Sequence, residues 1–200
     1  LGFNSPGAGA RRNHLHFELW TFDEVLPLEN ATLHLLGKQV PQNSPESLSG
    51  RSIRINVYEI KNYPIHGLAF PLQGQNISVV AAAISRCTVM LASNNIPHSM
   101  VLNDQNAYVI PRQFQEKKLA YRQCMQLLLT DKEGSTQKNS YFFSSDLGYP
   151  ELAGLVYTRD KDEYRMVLKK PDTVFNVLRS MVSVGTDAFR QIKEWCLHPT

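Results

Sequence analysis

The chain has few cysteines, no long apolar run and little net charge, and each scarcity removes a class of function. Three cysteines in 200 residues, Cys87, Cys124 and Cys196, are odd in number, far apart and in no metal-type spacing. That favours free thiols in a reducing compartment over a disulfide scaffold or a zinc module. No apolar run approaches the roughly eighteen residues of a spanning helix, and the first residues lack the charged and apolar regions of a signal peptide. A cytoplasmic protein without a membrane partner is therefore expected. The net charge is only +3, and the basic residues are dispersed, so no extended nucleic-acid footprint is indicated. A small anion needs only a local positive site. An initiator methionine is also missing: the chain opens at Leu1 inside what reads as a strand and is expected to be the C-terminal portion of a longer polypeptide, its N-terminal strands missing. What is present, 42% hydrophobic and 20% charged side chains, suffices for a single domain over residues 1–200. A homo-oligomer is compatible with this composition.

Leu15 to Thr21 alternates apolar with polar or titratable groups, the period-2 pattern of a half-buried strand. Residues 23–52 collect prolines, glycines, serines and asparagines and read as a long loop region, with a short extended piece at most around Thr32 to Leu36. Ser52 to Tyr58 and His66 to Pro71 read as strands separated by a turn at Asn62-Tyr63-Pro64. Ile77, Val80, Ile84, Cys87, Thr88 and Leu91 recur at helical spacing, with Asn76 or Ser78 as cap and an end by Asn94-Asn95. Pro97 to Leu102 and Ala107 to Pro111 form a hairpin around Asn103-Asp104-Gln105-Asn106. Further on, Lys117 to Thr130 is predicted helical, 131–140 a loop and Leu152 to Thr158 a strand. Tyr164 to Val167 adds a helical turn. Two more helices are predicted, one after Pro171 (Val174, Val177, Leu178, Met181) and one over Asp187 to Trp195. Intermixed strands and helices without βαβ alternation predict an α+β fold around an antiparallel sheet with packed helices.

The chemistry concentrates at the N-terminus. On a strand, side chains at i, i+2 and i+4 share a face about 6.5 to 7 Å apart, so His14, His16 and Glu18 line one face and Leu15, Phe17 and Leu19 the other, one face packing and one free for chemistry. A neutral imidazole attacks phosphorus well near neutral pH, and its phosphoramidate remains cleavable by a second acceptor. The preceding loop from Ser5 to Ala10, with Gly7 and Gly9, is small enough for backbone N–H groups to approach phosphate oxygens. Taken alone, two strand histidines beside a glutamate are more often an ordinary polar face than a site. His-x-His with a carboxylate also suits zinc or iron, but a metal needs further ligands, and His34, His66, His98 and His198 sit in ordinary contexts. Trp20 and Trp195 lie in apolar patterns and read as packing residues, and Lys117 reads as a solvated lysine or an anion contact.

Gly2-Phe3-Asn4-Ser5-x-Gly7-Ala8 followed by Asn13-His14-Leu15-His16-Phe17 resembles the GDP-hexose phosphorylases, most closely those acting on GDP-L-galactose, in the histidine-triad superfamily beside galactose-1-phosphate uridylyltransferase. Leu26-Pro27-Leu28-Glu29, Tyr63 to Phe70, Asn94 to His98, Ile110-Pro111, Glu116-Lys117 and Glu151-Leu152-Ala153-Gly154 resemble successive family blocks in the right order, so the likeness covers most of residues 2 to about 170. It implies a histidine-triad-like fold and a two-step reaction. His16 would attack the α-phosphorus of a GDP-hexose, expel hexose 1-phosphate and become guanylylated; inorganic phosphate would then release GDP. His14 would orient it. Asn4, Ser5, Gly7 and Asn13 match positions that shape the phosphate pocket, with Gly9 in the same loop. No metal or cofactor is implied, because the covalent step divides the displacement.

Two departures stand out: Glu18 replaces a family glutamine or histidine, and Arg11-Arg12 replaces an uncharged pair. An ionised Glu18 about 5 Å from a phosphoryl charge would cost about 3 kcal/mol at an effective dielectric near 20, a rate factor of about a hundred. Glu18 is therefore expected to be protonated, to be offset by an arginine such as Arg12 on the same face, or to mark a changed site. A catalytically silent nucleotide-binding or interaction homologue is the alternative from another class. A metal-dependent hydrolase using His14, His16 and Glu18 is the third.

Overall fold

The computed structural model describes residues 1–8, 16–39, 55–114, 148–156, 161–169, 172, 175, 176 and 178–198. Its strands are β1 (Gly2–Asn4), β2 (Thr32–Gln39), β3 (Ile55–Lys61), β4 (Leu68–Pro71), β5 (His98–Leu102) and β6 (Asn106–Pro111). They form one six-stranded sheet in the order β1-β5-β6-β4-β3-β2, with every pairing antiparallel. Helices are α1 (Ile77–Ser93), α2 (Tyr149–Leu152), α3 (Lys161–Lys169) and α4 (Thr186–Leu197), with a π-helical turn at Leu178–Val182. The fold is α+β, as the mixed pattern predicts.

Helical segments cover both faces of the sheet, which explains why its central strands are apolar throughout. In β6, Ala107 and Val109 join Ile55, Val57, Leu68 and Phe70 under α1 and α4. The alternate residues Tyr108 and Ile110 join Ile60, Ala69 and Val101 under Leu28, Tyr149, Leu152 and Leu178. Helix α1 starts where Asn76 Oδ1 accepts the Ser78 N–H at 2.9 Å, so of the two predicted caps Asn76 is the one used. It ends at Ser93, followed by Asn94 as C-cap. Val80, Cys87 and Leu91 form its buried stripe, whereas Ile77, at the first turn, is exposed.

Several expectations are corrected. The predicted strand over Leu15 to Thr21 is reduced, within the described residues, to one bridge between Glu18 and Gly2; β1 offers only three residues to pair with, and Phe17 and Leu19 find no second layer and stay exposed. The strand inside the 23–52 loop is longer than predicted, Thr32–Gln39, with a register shift between Leu35 and Gly37. Leu152 to Val156 is not a strand: Tyr149–Leu152 is helical, with Pro150 in its first turn and the Glu151 carboxylate accepting the Gly148 N–H at 2.7 Å. That start signal outweighs the alternation that follows it. The helix predicted after Pro171 is present at Asp172, Phe175 and Asn176, and Leu178–Val182 winds as a π-helical turn. The short turn predicted at Tyr164 to Val167 is a nine-residue helix, Lys161–Lys169. The segments 117–130 and 131–140 and Cys124 lie outside the described residues. Trp195 packs against the α1/α4 core as expected, but Trp20 is 43% exposed and stacks parallel on Phe22.

Candidate active site

The N-terminal strand is where chain segments far apart in sequence meet. β1 pairs with β5 on its inner side, Gly2 opposite Val101 and Asn4 opposite Ser99. On its outer side Gly2 and Glu18 exchange both backbone hydrogen bonds, at 2.9 and 3.0 Å. The 16–20 segment thus lies along the sheet edge. His16 Nε2 is 3.2 Å from Glu18 Oε1, so the two side chains share a face as the i, i+2 spacing requires. Phe17 turns the other way, onto Phe3 with ring centroids 5.3 Å apart.

The Glu18 carboxylate is surrounded by donors. Besides His16, Trp20 Nε1 reaches Oε2 at 3.3 Å, and the Tyr149 hydroxyl reaches the same oxygen at 3.3 Å. Tyr149 gains this position because Gly2 has no side chain: a Cβ there would overlap the Tyr149 ring. With a carboxylate on Nε2, a neutral His16 carries its proton on that nitrogen, and Nδ1 is the basic one. Attack through Nε2 requires Glu18 to release it.

The small-residue loop is a fixed turn. Ala8 N–H donates to Ser5 O at 3.0 Å, with Pro6 at the second position and Gly7 at φ +80° in the third, the signature of a type II turn. A Cβ on Gly7 would also lie 2.7 Å from the Phe114 ring, so the position calls for glycine twice over. Ser5 is committed to holding this turn. Its N–H donates to His98 O at 2.9 Å, and its Oγ accepts the His98 N–H at 2.8 Å. The expectation that the loop's amides point at phosphate therefore narrows. Ser5 and Ala8 N–H are used internally and Pro6 has none, while the Gly7 N–H is not consumed by this network.

Behind the turn lies Arg112, just past the end of β6, buried to 1% exposure. Its Nη1 donates to Ala8 O at 2.6 Å and to Ser99 Oγ at 3.1 Å. Ser99 Oγ in turn donates to Asn4 Oδ1 at 2.6 Å. Glu151, also buried, completes the surroundings. Burial pushes its carboxyl above the ordinary value; its own and the Gly148 backbone N–H, and then the Arg112 charge, oppose that, and the Glu18 charge adds to it. Gly148 leaves room for the Asn4 amide, 3.2 Å from where a Cβ would stand. His98 is held below the ordinary imidazole value by burial, partly countered by the Ile96 carbonyl.

Of the residues singled out in the sequence, the structure joins His16 to Glu18 beside Gly2 of β1 and places Asn4, Ser5 and Gly7 at the end of the same strand and in the turn that follows it. His14, Gly9, Arg12, Asn13 and Arg11 lie outside the described residues, as does Lys117. Sequence reasoning missed Arg112, Ser99 and Tyr149. Nothing in their local pattern marks them, although Glu151 falls in a block already noted for its resemblance. Among the described residues no group of three or more His, Cys, Asp or Glu side chains is arranged to hold a metal ion. No described helix is long and apolar enough to cross a membrane.

The fold is thus an α+β domain with a polar, histidine-bearing cluster at one sheet edge. Residues 39–200 match the family model described as GDPGP1-like, C-terminal domain, and the chain belongs to that family. Among curated proteins it is 31% identical over 119 residues to GDP-L-galactose phosphorylase 1 of Arabidopsis thaliana, covering 58% of this chain and 24% of the relative. It is 25% identical over 194 residues to GDP-L-galactose phosphorylase 2 of the same plant, covering 96% and 38%. To GDP-D-glucose phosphorylase 1 of Danio rerio it is 31% identical over 102 residues, covering 51% and 25%. The chain therefore spans about a quarter to two fifths of the length of these relatives. The second alignment, at 96% of the chain, extends into the N-terminal segment that the family model leaves out. No solved structure matches the chain.

Proposed function

We propose that the chain is part of a GDP-hexose phosphorylase, a nucleotidyltransferase that works through a guanylyl-histidine intermediate on His16. One ring nitrogen of His16 attacks the α-phosphorus, and the bond to the β-phosphate oxygen breaks. Hexose 1-phosphate leaves with the electron pair. An oxygen of inorganic phosphate then attacks the same phosphorus, the P–N bond breaks, and GDP is released. Nε2, the nitrogen that Glu18 contacts, attacks once Glu18 releases it, with the ring proton then on Nδ1. Asn4 and the Pro6-Gly7 turn, with Gly7 N–H as donor, flank the phosphates. His14, Gly9, Arg12 and Asn13 complete the pocket in this reading, with Arg12 offsetting Glu18. No metal or cofactor takes part.

The observation that carries this reading is the contact between His16 and Glu18, at the sheet edge that β1 shares with the Ser5–Ala8 turn. The relatives' names supply the substrate class. In the full-length protein, GDP-L-galactose or GDP-D-glucose with phosphate should yield GDP and hexose 1-phosphate, and His16→Ala should abolish the reaction. Turnover that survives His16→Ala would refute the assignment.

One observation favours a second reading, a nucleotide-binding homologue that does not turn over. Glu18 sets a carboxylate 3.2 Å from His16 Nε2, where the family commonly carries glutamine or histidine. Binding of GDP without phosphorolysis of any GDP-hexose would establish it.

A further inference from the structure

The largest fully buried side chain among the described residues is a charged one, Arg112. Apolar side chains of similar volume fill such positions at no loss of stability, whereas a buried guanidinium must recover its lost hydration through hydrogen bonds. Arg112 directs Nη1 to Ala8 O, the last residue of the Ser5–Ala8 turn, and to Ser99 Oγ, which passes the bond on to Asn4 Oδ1. Both routes end on the segment that carries the turn. Arg112 itself is separated from Ala8 by 104 positions in sequence.

We infer that Arg112 is a positioning residue for phosphate binding: its guanidinium fixes the Ala8 carbonyl and, through Ser99, the Asn4 carboxamide, and it sets a buried positive charge behind the turn that faces the diphosphate of a nucleotide. The inference rests on the proposed nucleotidyltransferase reading. Both bonds leave the single nitrogen Nη1, whose two N–H directions are fixed in the guanidinium plane, whereas a lysine ammonium on a shorter, flexible stem fixes neither its reach nor its direction. A charge enclosed by protein also acts on an anion with little screening by salt.

The test uses the full-length protein with Arg112→Lys, Arg112→Met and the milder Ser99→Ala, which keeps the arginine and nearly the same volume. Expected is a fall in kcat of about a hundredfold for Arg112→Met, the order that a misplacement of about 1 Å produces, about tenfold for Arg112→Lys and a smaller loss for Ser99→Ala. KM for GDP-hexose should change far less than kcat. Hydrogen exchange should show lost protection at Ser5 and Ala8 with the β4 and β6 amides still protected. Equal kcat in folded Arg112→Lys and wild type, with the turn still protected, would overturn the inference. If wild type itself forms no guanylyl adduct, the nucleotidyltransferase reading fails instead. Exchange at Ala8, together with GDP affinity in the Ser99→Ala protein, then decides the positioning role: a protected turn and unchanged affinity reject it, and lost protection with weakened affinity supports it.

Discussion

The Tyr149 hydroxyl donates to both the carbonyl oxygen and the Oε2 of Glu18, each at 3.3 Å, while its ring covers Gly2. A residue from the short helix α2 thereby fixes the carboxylate that touches His16. Tyr149→Phe keeps the ring over Gly2 and removes only the hydroxyl. It should cost about 1 kcal/mol of stability and lower turnover by about tenfold, the larger effect being on activity relative to the fold. Denaturant unfolding and initial rates on one preparation measure both.

Glu18→Gln separates charge from shape. Trp20 and Tyr149 both donate to Oε2, so a glutamine oxygen must face them and its amide nitrogen must face His16. His16 Nε2 then has to accept, and the ring proton moves to Nδ1. Turnover should be unchanged or raised, since a negative charge beside the phosphoryl group is gone, whereas Glu18→Ala, which frees the imidazole, should fall by at least about tenfold. Imidazole nitrogen shifts would record the change of tautomer. A collapse of activity in Glu18→Gln would show that the carboxylate itself is required.

How much of this was legible in the sequence depends on range. The helix over Ile77–Ser93 and the hairpin of β5 and β6 follow from local period and turn residues, and the structure has both. The i, i+2 spacing foretold that His16 and Glu18 meet. It did not foretell that Phe17 and Leu19 would remain exposed, because that depends on whether anything packs against the sheet edge. Arg112, Ser99 and Tyr149 were invisible for a related reason: each acts on β1 or the 16–20 segment from a distant part of the chain, and no short pattern encodes such a meeting. Pro150 after Gly148 was the available sign that α2 starts there, and the alternation from Leu152 onward obscured it.

Away from the site, Glu59 is buried between Lys61 at 2.7 Å and Lys193 at 3.0 Å. Burial pushes its carboxyl up, but the hydrogen bonds and charges of the two lysines outweigh that, and the net shift is downward. Its contribution is full above the ordinary carboxylate value and is lost as pH falls through the lowered one. Glu59→Gln should therefore destabilise by about 2 kcal/mol at neutral pH, less than a fully enclosed pair because Lys61 is about half exposed, with the difference from wild type shrinking in acid. Urea midpoints at pH 7 and pH 3.5 test the trend.

His66, stacked on Phe189 with centroids 4.7 Å apart, and His98 are both held below the ordinary imidazole value, chiefly by burial. The unfolded chain then takes up protons first, so stability should decline as pH drops below about 6.5 and level off only beneath the lowered values. The thermal midpoint should fall over that window, and His66→Gln should fall less steeply than wild type. A midpoint that rises on acidification over the same range would reverse the assignment.

The measurement that tests the account most directly is localisation of a covalent nucleotide. Full-length protein is mixed with GDP-hexose in the absence of phosphate, quenched, digested and analysed by mass spectrometry. A guanylyl group is expected on His16, removed as GDP when phosphate is added. A nucleotide attached to any other residue, or no adduct under conditions where GDP-hexose is bound, would contradict it.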